Sequence, residues 1–460
     1  MYGNRLNRQS LILITLAVAS SAYLFTSSMI IPALGLISRE LSLSAGEVSW
    51  MITGSLLVSV VVPPIAGKLG DIYGKPRVLV IILAIFAAGG VVAGIGALSK
   101  SLMVILAGRA LQGFGAATLP LSFGIIRDTF PSERFGPSVS LLSSSFGVGA
   151  GLGLVVAGPL VSALSWDWLF WFGSIVVCVA LAASLWVLPT SSMRRVGSVD
   201  WLGAILLSIG MSLILLTVSA LGKRDWTGSL GCGLAGGAAL FLFVQYEARI
   251  ASPLISTAML RSRAAMATNL EAFAVGVVQF GSTAILPLLL MSPSETGVGL
   301  GASASEAGLY ILPSTITMVM AAPIAAFVSR RFGAPVQLIA GSLLMTVSFL
   351  GFAFFHQSGL QIIAWNAVFG AGAGFATASI ATLVMGSVKQ SEAGVAAGVN
   401  TVFRMTGGAV GTQITVAFVD LFGGDAERPD LGYVIAFFAC AGIAVLPSIT
   451  ARYVPRLKPA

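Results

Sequence analysis

From Leu11 onward the chain is a succession of apolar stretches of about 20 residues or more, the length a helix needs to cross a bilayer's hydrocarbon, separated by short connections that carry most of the charge. No soluble architecture holds many such stretches in a row, so the pattern predicts an all-α polytopic membrane protein. Composition agrees: of 460 residues, 57% are apolar and 9% are Asp, Glu, Lys or Arg, against roughly 25% charged in a soluble domain. Fourteen spans are predicted, including stretches at 201–221 and 394–420. Arg5 and Arg8 precede the first, but its apolar run exceeds the roughly 7–15 residues of a signal-peptide core, so it is read as a retained helix. Most of the 25 Lys and Arg residues, Lys68, Arg127, Arg134, Arg194 and Arg330 among them, fall at the termini or in every second loop. That bias predicts a multi-pass protein of the cell membrane with both termini cytoplasmic.

The same arithmetic leaves no room for a large soluble domain, which excludes ATP-driven pumps and receptors with folded ectodomains. Phosphate-loop, nucleophile-elbow and zinc-protease motifs are missing, and no nucleophile, base and orienting group recur together, so no enzyme is expected. His356 is the single histidine, and Cys178, Cys232 and Cys440 are scattered over different spans as small packing residues, so neither a metal nor another cofactor is expected. The net charge of +8 is dispersed among loops in the membrane-topology pattern, not gathered as for nucleic acid.

The chain also repeats itself. A gapless shift that carries Gly74 onto Gly333 carries Pro64, Ile65, Ala66 and Pro76 onto Pro323, Ile324, Ala325 and Pro335. It also takes Ser44-x-x-Glu47, a capping-box pattern at the start of a span, onto Ser303-x-x-Glu306, and Gly113 and Gly115 onto Gly372 and Gly374. Spans 2–5 therefore correspond to spans 10–13, running in the same direction. The expected organisation is a six-helix bundle over 1–188, a linker with two inserted helices over 189–265, and a second six-helix bundle over 266–460. A midplane cavity between two such halves is the architecture of a rocking transporter.

Two motifs carry chemistry. After span 2 runs Gly67-Lys-Leu69-Gly-Asp71-Ile-Tyr-Gly74-Lys75-Pro-Arg77, where glycines allow a tight turn and Asp71 can pair with Lys75 or Arg77 across a sliding joint. Span 4 carries Leu106-x-x-Arg109-x-x-Gln112-Gly113-x-Gly115, with Arg109 and Gln112 on one helix face. Gly113 and Gly115 suit close helix packing, whereas an arginine deep in a span is costly, about 2.5–3.5 kcal/mol to insert.

On these motifs the chain resembles the Major Facilitator Superfamily. WDWLF (166–170), EAGLYILP (306–313) and NTVFRMTGGAVG (400–411) extend the resemblance to its fourteen-helix drug/proton antiporter branch. The resemblance implies a fold of two six-helix repeats with two extra central helices. It further implies export of amphipathic drugs or secondary metabolites by alternating access, driven by a proton gradient without a cofactor. Two departures stand out. The branch's span 5 motif reads Gly149-x-x-x-Gly153-Leu154-x-x-Ala157-Gly158 here, with leucine in place of proline, and Tyr23 occupies the span 1 position at which many relatives carry an aspartate.

Roles are expected for several residues. Glu271, Arg109 and Asp71 are candidates for proton coupling; Glu271 lies in the first turns of span 9, eight residues before Gln279. Arg109, Gln112, Tyr23, Gln279, Trp365 and Arg404 are candidates for the substrate cavity, and Gly67, Asp71, Gly74, Lys75, Arg77, Gly149, Gly153 and Gly158 for conformational gating. The expected partners are a small amphipathic substrate, protons and the lipid bilayer, with the protein a monomer. The alternatives are an importer or proton symporter of a small organic solute, which the altered span 5 motif would suit, and a non-transporting sensor, which would need a signalling tail.

Overall fold

The computed structural model describes residues 2–43, 45–189, 200–222, 225–250, 262–294, 298–387, 393–422 and 429–451, and the regular structure among them is entirely helical. In chain order the helices are α1 Tyr2–Met29, α2 Leu34–Glu40, α3 Ala45–Tyr73, α4 Lys75–Leu98, α5 Leu102–Gln112, α6 Thr118–Thr129, α7 Ser132–Ala163 and α8 Trp168–Val187. They continue as α9 Trp201–Gly222, α10 Trp226–Glu247, α11 Arg263–Met291, α12 Ala304–Phe332, α13 Ala334–Phe354, α14 Gly359–Ser387, α15 Ala393–Phe422 and α16 Leu431–Thr450. In a bilayer every main-chain N–H and C=O must be satisfied within the protein, and long helices satisfy them within each segment. A 3₁₀ turn over Gly113–Ala117 joins α5 to α6, so the two form one crossing.

Twelve crossings among the described residues are long and apolar enough to span a membrane. The expectation of fourteen exceeds that number by α9 and α15. α9 contains the apolar stretch Trp201–Ile214. α15 has 30 residues, but it carries Asn400, Arg404 and Gln413 and packs on α11, α3 and α16.

The repeat is visible in the packing. Within the first half α1 packs on α7, α4 on α5 and α4 on α8; in the second, α11 packs on α15, α13 on α14 and α13 on α16. Between the halves α7 meets α12, and its repeat counterpart is α15 meeting α3. Gly74 and Gly333 both take positive φ, 96° and 89°, which turns the chain directly from α3 into α4 and from α12 into α13 without the steric conflict a Cβ would bring. Ser303 and Glu306 form the expected capping box at the start of α12. Its partner position, Ser44, lies outside the described residues, as do 190–199 and 251–261 of the expected linker. α9 packs on α10 and also touches α3 and α15, so the hairpin lies along one of the two interfaces between halves.

Both ends of the described chain lie on one face of the bundle, the terminus side. Arg134 at the start of α7 donates to Gln9 at the start of α1 (3.2 Å). Asn400 in the first turns of α15 donates to Asn269 Oδ1 of α11 (3.1 Å). Thr450, the last residue of α16, donates to Glu271 Oε1 (3.2 Å).

Candidate functional site: a central cavity between the halves

A cavity of about 200 Å³ lies where the two halves face each other, lined from α1, α3, α5 and α7 on one side and α11, α12, α14 and α15 on the other. Its walls mix apolar groups such as Leu24, Phe280, Met318 and Phe369 with a set of neutral polar ones: Ser27, Ser28, Ser55, Gln279, Thr283, Ser314, Thr315 and Thr412. The formal charge on this lining is that of Arg109; no carboxylate is among the described lining residues.

Arg109 is the largest fully buried side chain described, and its surroundings show how a helix interior holds a guanidinium. Nε donates to Met51 O (2.8 Å), Nη1 to Gln112 Oε1 (2.9 Å) and Nη2 to Ser55 Oγ (3.1 Å). Gln112 meets it because three residues along a helix return to the same face; Met51 and Ser55 come from α3. These three acceptors are neutral, so the positive charge is oriented by dipoles and not cancelled. Gly113 allows α5 to approach α3 this closely: a Cβ there would lie 2.6 Å from Ser55 O, in keeping with the packing role expected for that glycine. Tyr23, at the expected cavity position on α1, packs edge-to-face on Phe86 and hydrogen-bonds Ser59 and Ser27.

On the terminus side the joint after α3 is an ion cluster. Lys75 Nζ lies 3.2 Å from Asp71 Oδ1 and 2.8 Å from Asp128 Oδ2, and all three side chains are largely buried. Asp71–Lys75 is legible in the sequence as a pair four residues apart. Asp128, at the end of α6, is not, and the only hint is its place beside Arg127 at the end of a span. Arg127 itself crosses between the halves and donates to Met385 O in the last turns of α14. Arg77 is exposed and Gly67 buried; Arg77 lies outside the cluster.

The repeated helix packing, the cavity shared between its two sets of helices and this loop cluster agree with a match of residues 16–412 to the Major Facilitator Superfamily. The chain belongs to the Major Facilitator Superfamily. It is 30% identical over 409 residues to the tetracenomycin C resistance and export protein of Streptomyces glaucescens, covering 87% of this chain and 74% of that protein. An uncharacterized superfamily transporter of Mycobacterium tuberculosis is 29% identical over 84% of this chain, which spans only 56% of that relative's length. Among solved structures, the proton:xylose symporter XylE superposes with a TM-score of 0.67 at 13% identity, over 98% of this chain and 96% of that one, a likeness of fold. The chain is thus a multi-pass membrane protein of that superfamily.

The superfamily's α7 glycines serve two opposite surfaces. A Cβ at Gly149 would overlap Ser21 O, and one at Gly153 would overlap Phe25 O, so this face lies against α1 of the same half. Gly147 and Gly151, on the other face, lie against Met318 and Thr315 of α12 in the opposite half. The motif points only to the first pair; the second continues the same every-other-residue glycine run and is readable from it. Leu154, in the place of the branch's proline, is buried and lines the cavity, while Gly158 is half-buried.

The other expected residues are dispersed. Gln279 lines the cavity, but Gln112 stands behind Arg109 and is not on its wall. Trp365 stacks on Phe355 and covers Gly351, so it is a packing residue of the second half. Arg404 lines a separate, mostly apolar pocket of about 20 Å³ on the terminus side, with Ser143, Thr377, Asn400 and Thr401 among its polar lining. Glu271 is buried against α16, where Thr450 meets Oε1 and Oε2 has no hydrogen-bond partner among the described residues. The sequence distance of eight residues places Glu271 and Gln279 on one stripe of α11, but the two face different neighbours.

Proposed function

We propose that this chain is a proton-coupled exporter of amphipathic drugs or secondary metabolites that works by alternating access in the cell membrane, with both termini cytoplasmic. The observation that carries the reading is the central cavity, lined by both halves and crossed on its terminus side by Arg127 reaching Met385. Rocking the halves would break that contact and expose the cavity to the other face. The tetracenomycin C exporter supports the outward direction of transport. On this reading α9 and α15 complete fourteen crossings, the units are 1–188, 189–265 and 266–460, and the monomer is the working form.

Glu271 is our candidate for the coupling proton. A buried carboxyl with one oxygen outside any described hydrogen bond is a group whose ionisation depends on how its surroundings open and close. Arg109 and Asp71 would act on the cavity and the joint. The test is purified protein in liposomes with an imposed pH gradient and a panel of fluorescent amphipaths. Antiport predicts uphill movement of substrate against the direction of proton flow. Movement in the same direction as protons would assign a symporter, and gradient-independent equilibration would remove proton coupling.

A further inference from the structure

The central cavity does not end at its own walls. On the side away from the termini a second space of about 500 Å³ shares Ile31, Leu154, Ala284 and Ile311 with it. Its remaining surface is mostly apolar, with Pro32, Leu34, Pro287, Leu288 and Met291 prominent. The polar side chain there, Ser292, is engaged, with its hydroxyl on Leu288 O (2.7 Å) and Tyr433 Oη (3.0 Å). The two spaces share a wall and are both mostly apolar; what distinguishes the inner one is the formal charge of Arg109. Arg109, Tyr23 and Ser55 stand at the inner end. Ile31 lies about 12 Å outward of Tyr23 at 1.5 Å per helical residue.

The guanidinium at the inner end has capacity left. Its three hydrogen bonds to Met51, Gln112 and Ser55 use one N–H on each nitrogen, and an arginine carries five. Those acceptors are uncharged, and the described lining holds no carboxylate to compete. A ligand cation would meet a fixed like charge in a low-dielectric space, while an acidic oxygen would meet an unneutralised opposite one.

Resting on the transport reading above, we infer that the ligand is an amphipathic anion bound head-inward, its acidic head on Arg109 and its apolar body in the outer vestibule. The recognised class is a molecule with one ionised acidic group and a hydrocarbon or aromatic tail longer than about 10 Å, about the length of the vestibule wall from Ala284 to Met291 at 1.5 Å per residue. Dicationic dyes are disfavoured by the same arrangement.

The test is equilibrium binding, which needs neither a gradient nor turnover. Protein in phosphatidylcholine nanodiscs is titrated with dansyl-undecanoate, the matched dansyl-undecyl-trimethylammonium, and a dansyl acid with a short chain, with empty nanodiscs subtracted. The expected result is saturable binding of the long anion at least about tenfold tighter than the long cation, and tighter than the short acid. Arg109→Lys should keep the anion preference and Arg109→Gln should lose it. Ala284→Trp, at the junction of the two spaces, should remove the advantage of the long chain, so that the long and short acids bind alike. Equal or tighter binding of the cation overturns the charge assignment, and an unchanged chain-length dependence in Ala284→Trp overturns the vestibule. A protein that binds cations yet still moves substrate against a pH gradient would refute this inference alone. One that binds the anion as expected but ignores the gradient would refute only the coupling.

Discussion

Arg127 ends a helix of the first half, and its guanidinium donates to the main-chain oxygen of Met385 near the end of a helix in the second half. A cation at a helix C-terminus meets the partial negative charge of the last carbonyls, so this contact joins the halves on the terminus side, and under the proposed alternating access it would break when that side opens. A contact present in one of two states biases the equilibrium by its own strength. A hydrogen bond to a charged group contributes about 1.5–3 kcal/mol. Arg127→Gln should therefore move the population toward the form open on the terminus side by about tenfold or more. Spin-label distances between the ends of α6 and α14 measure it, and an unchanged distance distribution would count against the latch.

The Lys75 cluster makes a graded prediction. Lys75→Met leaves Asp71 and Asp128 buried without their shared cation, and breaking a buried pair from one side costs about 3–5 kcal/mol. Asp71→Asn is milder, because Lys75 keeps Asp128 at 2.8 Å. Thermal unfolding in detergent should rank wild type, Asp71→Asn and Lys75→Met in falling order. Asp71→Asn should also alter cysteine accessibility on both faces of the bundle, since the joint it weakens lies at the turn between α3 and α4.

Glycines on the two faces of α7 should fail differently. Gly149→Leu pushes α7 off α1 inside one half and should lower expression and stability. Gly151→Leu acts at the sliding contact with Thr315 of the other half, so the protein should insert and keep each half intact while transport is lost. Normal transport by Gly151→Leu would show that the halves do not need this close approach.

Coupling through Glu271 predicts that Glu271→Gln binds substrate like wild type, because Glu271 is absent from the described cavity wall and its carboxyl faces Thr450. Substrate-induced proton movement and uphill transport should both disappear, and the remaining downhill flux should no longer vary with pH. Retention of both activities would place coupling at another group.

Much of this architecture is open to reading along the chain. Apolar length dictates helices in a bilayer, the repeat dictates two halves packed alike, and the positive φ of Gly74 and Gly333 follows from a residue that alone takes that conformation without strain. Arg109 beside Gln112 is also local, a matter of helical periodicity. What only the tertiary structure decided are the meetings between distant segments. Asp128 joins Lys75, Arg127 reaches Met385, Trp365 turns to Phe355 and not to the cavity, and Glu271 turns to Thr450 while Gln279 enters the cavity. The spacing of residues along one helix specifies which of them share a face, but which neighbour that face meets depends on how all the helices pack together.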